Sequence, residues 1–545
     1  MKRHVGRVAR VVAVIVVLLA LAPARTVLAH ASLVASSPAA NSVLDSAPKE
    51  IVLDFDEAVE GSAATVHLYR GNGQQVPLDD PQSASDNSVV TVDVPDLADD
   101  LYAVVWRVPS ADGHVVEGAF SFQIGDTTRG DGDALVASVR GGVQASDAVR
   151  WGAGLARTLG YLALVVVLGC GWWWSVSARG GADGPAARAM RRWVPIGASV
   201  GALAACMSFV FYAADAVAGS LADAFSPSVW EIVADTRAGT LLKARIGLSL
   251  ALVAIAVSGD RLPSRWRRVT EGVLGAALVL TFSAFGHPSA LAGAALWVAL
   301  DAVHMVAMTA WLGGVVVLAT LPRESLTADP GLAVRFSRVA LAALPVVVLT
   351  GMANAWMIGD LGTVGVSALT DTDWGRGLLW KTGVVIVVLC IAAVARTLLR
   401  RCGSGSLRAL VRTEALLGVV VLALAAGIVT RPPEPAAINA TPFAVQLAAP
   451  DGLIAVVSLS PGAVGSNEVH IFLTPPGGSI IPILDVTARV SLADQPNSPV
   501  TLRKEGPNHF QGTLTFPRSG QWELELIVQV REGQQDLLRT TVPVP

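Results

Sequence analysis

Residues 296–320 have the sequence LWVALDAVHMVAMTAWLGGVVVLAT, in which Asp301 is the one acidic or basic position besides His304. About twenty consecutive apolar residues are enough for a helix to cross the hydrocarbon layer of a bilayer. We therefore predict that this stretch is a transmembrane helix. The chain as a whole has a mean hydropathy of +0.55 and 15% charged residues, so further stretches of this kind are expected.

Seven more apolar runs occur around this stretch, and together they predict an all-α membrane domain of eight helices within residues 151–430. The predicted spans are 153–175, 194–218, 240–258, 271–289, 296–320, 336–358, 378–398 and 411–430. The first, third, fifth and seventh connections are rich in arginine, whereas the second and sixth are acidic. Because arginine-rich loops remain in the cytoplasm, we expect both ends of this domain to face outside.

Residues 1–29 have the features of an export signal. A basic start is followed by an apolar run at 11–21 that is too short to span comfortably, and small residues lie just before position 30. Cleavage after Ala29 would leave His30 as the first residue. The alternative is an uncleaved anchor, which Pro23 argues against by ending the apolar run early.

Two polar regions flank the membrane domain. In 30–125 and 440–545, apolar and polar residues alternate with a period of two between Gly, Pro and Asn turns, as in β-strands. We predict an all-β sandwich or barrel for the first region and an all-β, immunoglobulin-like sandwich for the second. Residues 126–150 are rich in Gly and Asp and are predicted to be a linker. The fold class is thus multi-domain: β, eight helices, β.

Composition excludes several classes of protein. A net charge of −3 without a dense basic cluster argues against a nucleic-acid partner. None of the four cysteines lies in the polar end regions, which argues against a disulfide framework there. Neither a Gly-rich phosphate loop nor an Asp-Lys-Thr-Gly phosphorylation motif is found, so ATP-driven pumping is unsupported.

The first polar region contains residues suited to a metal site. A mature N-terminal His30 would offer its α-amine and an imidazole nitrogen. Asp112 and His114 would add a carboxylate and a second imidazole, and Gly113 between them would allow the tight turn that lets both side chains converge. This nitrogen-rich set suits Cu(II) in tetragonal geometry. Since binding requires a neutral amine and neutral imidazoles, affinity should fall in acid.

The membrane domain contains a second candidate set. His287 lies at the outer end of the fourth predicted span, and His304 lies about two turns into the fifth, with Met308 on the same helical face. Ionisable residues inside a membrane are costly and tend to mark pathways. We predict a copper-accepting site of His287, His304 and Met308. The alternative is that His304 bonds between helices while the methionines fill packing gaps.

Several motifs resemble those of known copper proteins. His30-Ala-Ser-Leu, Ser37-Pro-Ala, Ile51-Val-Leu-Asp-Phe and Asp112-Gly-His-Val-Val-Glu-Gly-Ala-Phe-Ser-Phe resemble the periplasmic copper-binding protein CopC. The membrane region resembles its partner CopD, on the motifs Asp301-Ala-Val-His304, Ala310-Trp-Leu-Gly-Gly314, Arg335-Phe-Ser-Arg338, Leu349-Thr-Gly-Met-Ala-Asn354 and Gly375-Arg-Gly-Leu-Leu-Trp-Lys381. The resemblance covers about 30–125 and 150–430. It implies a CopC–CopD fusion that binds Cu(II) through His30, Asp112 and His114.

The sequence departs from some CopC proteins in one respect. Their Met-rich loop holds Cu(I), whereas no methionine occurs between His30 and Met190 here. A single Cu(II) site is therefore expected in the N-terminal domain. His67 is interpreted as an ordinary strand residue, and no spacing around His470 or His509 in the C-terminal region indicates a site.

We therefore predict a non-enzymatic protein of the cell membrane, with both soluble domains outside, that captures Cu(II) and transfers copper to or through the helices. Uptake is the expected direction, in copper homeostasis or resistance. The alternative is sequestration, or exchange with an extracytoplasmic copper donor or cuproenzyme acceptor, without transport. An oxidative copper enzyme is a third hypothesis, which the extra Asp112 ligand argues against. Copper and the lipid bilayer are the expected partners.

Overall fold

The fold was analysed in a computed structural model of the chain. It describes residues 31, 33–40, 42–55, 57–83, 87–110, 113–125, 132–140, 145–177, 185–258, 263–289, 293–322, 331–358, 368–402, 408–429, 443–450, 452–460, 462, 465–475, 483–492, 498–506, 508–531 and 534–544. His30 and Asp112 lie outside these residues, as does the predicted signal segment. The chain divides into a helical unit, mainly 147–214 and 220–435, and a β unit, mainly 30–146 and 436–545.

The N-terminal β region consists of two sheets that share one core. The first sheet contains β1 (Leu33–Ser37), β3 (Glu50–Phe55), β7 (Val89–Asp93) and β6 (Gln82–Ser83), in that order. The second contains β2 (Val43–Leu44), β9 (Val115–Ile124), β8 (Leu101–Pro109), β4 (Thr65–Arg70) and β5 (Gln75–Val76). Alternate residues of both sheets, such as Ile51, Leu53, Phe120 and Phe122, are buried together. The predicted all-β fold is confirmed.

Part of the segment predicted to be a linker is helical. Helix α1 (Gly132–Arg140) packs its apolar face on β8 and β9, where Leu135 contacts the cluster of Leu101 and Ala103. This contact helps to explain why β8 is buried along its length, since α1 covers the outer face of its first half.

The C-terminal β region is one continuous eight-stranded sheet. Its strands, in spatial order, are β10 (Phe443–Ala448), β11 (Ile454–Ser460), β12 (Gly465–Thr474), β15 (His509–Phe516), β14 (Ser498–Gly506), β13 (Asp485–Ser491), β16 (Gly520–Arg531) and β17 (Gln534–Val544). The edge strands β10 and β17 contact each other, so the sheet nearly closes into a barrel. β14 pairs with both β13 and β15 and joins the two halves. An all-β region is confirmed, whereas a two-sheet sandwich is not.

Within the described ranges, the helical unit contains a helix at each of the eight predicted spans, together with two short helices. They are α2 (Asp147–Ser177), α3 (Pro185–Ala216), α4 (Pro227–Ala234), α5 (Arg237–Val257), α6 (Ser264–Ser283), α7 (Ala294–Thr320), α8 (Gly331–Ile358), α9 (Ala368–Asp371), α10 (Asp373–Cys402) and α11 (Arg408–Ile428). Among the described residues, seven of these are long and apolar enough to cross a membrane. The exception among the eight predicted spans is α6, whose first turns carry Arg267, Arg268 and Glu271. The count of eight is therefore not confirmed.

Helices α2 and α7 form the closest crossing in the centre of this unit. A Cβ atom at Gly169 would collide with the backbone of Gly313, and one at Gly313 would collide with Gly169. Such contact of backbones is typical of small residues at membrane helix interfaces. Trp173 adds a hydrogen bond from its indole N–H to the Ala310 carbonyl at 3.1 Å. This crossing fixes α7, the helix that carries His304.

Candidate metal centres

His114 lies at the tip of the β8–β9 hairpin. The tip is closed by hydrogen bonds from the Gly113 amide to the Ser110 carbonyl at 2.9 Å and from the Ser110 amide to the His114 carbonyl at 2.7 Å. Gly113 has a φ of 89°, a left-handed conformation that favours glycine. The His114 side chain is buried. The turn geometry agrees with the tight turn expected at Gly113, while the roles of Asp112 and His114 as ligands stay predictions.

The start of β1 lies at the same end of the domain as this hairpin. Leu33 pairs with Phe55, and Ser110 forms a bridge with Val59, so both elements border the short segment from Phe55 to Val59. Ala31, immediately after His30 in the chain, is buried in the same core. The topology thus brings the N-terminal end of β1 and the tip of the β8–β9 hairpin, with Gly113 and His114, to one edge of the domain.

His67 has an ordinary structural environment on β4. Its Nδ1 is hydrogen-bonded to the side-chain amide of Gln75 at 2.9 Å, and its ring packs beside Tyr69. Burial lowers the pKa of His67. This environment agrees with its interpretation as a strand residue.

In the helical unit, His304 on α7 is held by Thr350 on α8. The Thr350 hydroxyl donates its single proton to the Val346 carbonyl at 2.6 Å, so its oxygen accepts from the His304 Nδ1–H at 2.9 Å. A neutral imidazole with a proton on Nδ1 has its lone pair on Nε2. Gly351 lies beneath the ring, where an added Cβ would be 3.2 Å from Cε1 of His304. The lone pair of the His304 ring therefore lies on Nε2, while a ligand role for His304 stays a prediction.

Polar groups from three other helices converge on Asp301, one turn before His304. Its carboxylate accepts a hydrogen bond from the Asn354 side-chain amide on α8 at 3.0 Å. Ser283 at the end of α6 and Lys381 on α10 lie within electrostatic range of Asp301. We call Asp301, His304, Thr350, Asn354 and Lys381 the polar cluster of the helical unit. All five residues belong to the motifs that resemble CopD, but their spacing in the sequence did not predict that they meet.

The other predicted membrane ligands have different outcomes. His287 begins a 3-10 turn, His287–Ser289, that contacts α7 and α8, but its side chain lies outside the described part of the structure. Met308 is buried, and so is Met305, in the same apolar cluster. Burial of both sulfur residues agrees with packing, and a ligand role for Met308 stays a prediction. Within the described residues, no group of three or more His, Cys, Asp or Glu side chains is placed to hold a metal ion.

Comparison with known families accounts for most of the N-terminal and helical parts of the chain, apart from residues 298–329. Residues 33–125 match the CopC domain, 146–297 match the N-terminal domain of copper resistance protein D-like proteins, and 330–428 match copper resistance protein D. The chain combines a CopC domain with CopD domains in a single polypeptide. Its CopD region is a multi-pass membrane domain, and its CopC domain is fused to it in one chain.

Individual relatives cover the chain to different extents. The copper transport protein CutJ of Bacillus subtilis (strain 168) is 27% identical over 521 residues, which are 92% of this chain and 93% of that protein. Protein YobA of Escherichia coli (strain K12) is 32% identical over 101 residues, 18% of this chain and 82% of YobA.

Solved structures match the CopC domain. CopC from Methylosinus trichosporium OB3b is 32% identical and covers 17% of this chain and 93% of that one, with a TM-score of 0.17. PcoC from Escherichia coli, described as a methionine-rich copper resistance protein, is 24% identical and covers 18% of this chain and 99% of that one, also with a TM-score of 0.17.

Proposed function

We propose that the CopC domain captures Cu(II) outside the cell and passes copper to the CopD domain, which carries it across the membrane. The protein is a copper-handling protein and not an enzyme. The orientation of His304 by Thr350 is the observation that carries the proposal, because a buried imidazole with its lone pair on Nε2 is ready to bind a metal. The fusion of both domains in one chain supports transfer between them.

The proposed capture site consists of His30, Asp112 and His114. The meeting of β1 and the β8–β9 hairpin at one edge supports this assignment, since residue 30 directly precedes the buried Ala31. Two imidazoles, an amine and a carboxylate form a set that prefers Cu(II).

The proposed membrane site is built around His304, with His287 and Met308 as further ligands. Contact of the His287–Ser289 turn with α7 and α8 supports the participation of His287. In this proposal Asp301, held by Asn354 and balanced by Lys381, gives the passing cation a nearby negative charge. The direction is uptake.

We further infer that all eight helices cross the membrane and that both β domains lie outside. The arginines at the start of α6 then lie at the cytoplasmic surface, where the positive-inside rule places them. Four crossings in each direction return the chain to the side on which it began.

Copper flux into liposomes tests the proposal. The purified full chain should move copper into the lumen, and His304→Gln should abolish this flux while retaining Cu(II) binding outside. His67→Gln is the matched control, because His67 is bonded to Gln75 in a surface strand and should not affect flux. Tight Cu(II) binding by the wild type without any flux would reject transport and favour sequestration or delivery to a cuproenzyme.

Direction requires a separate test in cells. A strain without this protein should accumulate less copper than its parent, and a chain carrying His304→Gln should fail to restore accumulation. Higher copper accumulation in the deletion strain would contradict uptake.

A further inference from the structure

Two histidines of the C-terminal sheet are brought together although 39 positions separate them in the sequence. Nδ1 of His470 on β12 and Nε2 of His509 on β15 lie 3.0 Å apart. Their rings are nearly parallel, at 16°, with centroids 5.3 Å apart. Sequence spacing gave no indication of a site here, because the contact depends on the pairing of β12 with β15.

Strand register explains the contact. His470 is opposite Gln511 and His509 is opposite Phe472, so the two imidazoles are diagonal neighbours on one face of the sheet. This face is opposite to the core face, on which Val469, Ile471 and Phe510 are buried. The ring of Phe472 stacks on His509 with a centroid distance of 4.1 Å and holds it in place.

The pair lies in a place of low solvent access. His470 is 7% exposed although it points away from the apolar core. Ser458 on β11 is directly opposite His470 and is 3% exposed. Within the described residues its buried hydroxyl oxygen has no hydrogen-bond partner. Two imidazole nitrogens and a buried hydroxyl thus share one patch of the sheet.

The separation of the nitrogens fits a shared metal ion. With metal–nitrogen bonds of about 2.0 Å, two nitrogens in neighbouring positions of a tetragonal ion lie about 2.8 Å apart. A linear arrangement would require about 4 Å, which does not match. One of the two imidazoles now donates a hydrogen bond to the other. When the metal binds, this ring changes tautomer and carries its proton on its other nitrogen, so no net proton is released.

We propose that His470 and His509 bind a copper(II) ion on the C-terminal domain, as a second external site that is distinct from the CopC site. Ser458 supplies a nearby oxygen, and water completes the coordination. The pair gives the C-terminal domain a role in binding copper, which none of its sequence motifs indicates.

Copper stoichiometry of the full chain tests this site. The purified protein is titrated with Cu(II) in the presence of glycine as competitor, and bound copper is counted after gel filtration. His509→Gln and His470→Gln should each lose one equivalent relative to the wild type. His67→Gln, which removes another histidine bonded by its Nδ1, should retain the wild-type count.

A variant that lacks His114 distinguishes copper bound at the C-terminal site from copper bound at the CopC site. His114→Gln should lose a different equivalent, and the remaining Cu(II) should show electron paramagnetic resonance splitting from two imidazole nitrogens. That splitting should disappear in the double variant His114→Gln, His509→Gln. If His114→Gln retains the full count, the capture site is wrong while the C-terminal site is unaffected.

The result that overturns the C-terminal site does not depend on how well its variants fold. If the folded His114→Gln chain binds no external Cu(II), or binds it without two-nitrogen splitting, the proposal is wrong. His509 is less buried than His470, so its replacement should disturb folding less. An unchanged number of bound Cu(II) ions in His509→Gln would also overturn the proposal.

Discussion

At the residue scale, His304 shows how a neighbouring hydroxyl decides the chemistry of an imidazole. The hydroxyl group of Thr350 has one proton, which it donates in a hydrogen bond to the Val346 carbonyl at 2.6 Å. The remaining interaction, at 2.9 Å, fixes the proton of His304 on Nδ1. Outer partners of this kind hold the tautomer and orientation of metal-binding histidines.

Thr350→Val should therefore weaken copper binding by the membrane domain. Loss of a partner that orients a histidine ligand typically costs roughly 10- to 100-fold in metal affinity. We expect the copper concentration for half-maximal flux in liposomes to rise by a similar factor, and Thr350→Ser to retain the wild-type value. Thr309→Val is the control, since among the described residues the Thr309 hydroxyl donates to the Val306 carbonyl of its own helix. Equal effects at Thr350 and Thr309 would contradict the orienting role.

His67 provides a prediction on pH. Burial holds the pKa of His67 below its usual value of about 6.5. As the pH falls, His67 is therefore protonated in the unfolded chain at a higher pH than in the folded chain. The contribution of His67 to stability should fall as pH drops from about 6.5 to this lowered pKa and change no further below it. Thermal unfolding of the copper-free protein measures this dependence. His67→Gln should unfold with a weaker dependence on pH, and an unchanged dependence would contradict the prediction.

At the element scale, the α2–α7 crossing is set by two glycines whose backbones touch. Gly169→Ala should force the helices apart, because its Cβ would meet the Gly313 backbone, which cannot yield as a flexible side chain would. Overpacking of this kind costs about 1–3 kcal/mol. Thermal unfolding in detergent should show a lower midpoint.

Gly154→Ala on the same helix is the control for this crossing. Its Cβ would meet nothing within 4 Å, and alanine favours a helix more than glycine does. We expect its midpoint to be unchanged or slightly raised. If Gly154→Ala lowers the midpoint as much as Gly169→Ala, the close crossing is not the cause.

The β8–β9 hairpin is the second element with a defined conformational requirement. Gly113 has a φ of 89°, and a left-handed conformation costs other residues about 1–2 kcal/mol. Gly113→Ala should therefore distort the turn and weaken Cu(II) binding by the CopC domain in a competition titration. Gly73→Ala places the same strain, at a φ of 81°, in a turn without proposed ligands. It should reduce stability but retain Cu(II) affinity; weakened binding in both variants would argue against a specific role for the hairpin.

At the scale of the whole molecule, the chain alternates between two kinds of folding environment. The helical unit exposes large apolar side chains such as Trp356 and Trp380, which lipid can cover. The β unit instead buries its apolar residues in two cores of its own. The arrangement agrees with a multi-pass domain flanked by water-exposed domains.

The proposed topology predicts how the chain is cut by protease. Protease added to spheroplasts should remove both β domains and leave the helical region protected, apart from short outer loops. A tag inserted between α10 and α11 should survive unless the membrane is opened, because the arginine-rich connection there is placed in the cytoplasm. Protection of the C-terminal domain in intact spheroplasts would contradict an even number of crossings.

Local sequence patterns were enough to predict the β, helical and β regions in their order, most of the helices, and the resemblance to CopC and CopD. Apolar runs and period-two alternation are local properties of the sequence. They predict helices and strands wherever the pattern of buried residues repeats along the chain. The Gly113 turn was also predicted locally, since it depends on one residue without a Cβ. The count of crossings was less certain because α6 mixes a charged start with an apolar remainder.

Which polar residues meet depends on tertiary packing and could not be predicted from local sequence. His304 is bonded to Thr350, 46 positions away, and His470 to His509, 39 positions away. Helix packing set the first pair, and strand register set the second. Both depend on how whole elements dock, which is the sum of many weak contacts distributed along the chain. No spacing within a single element carries that information, so the membrane polar cluster and the C-terminal histidine pair emerged only from the fold.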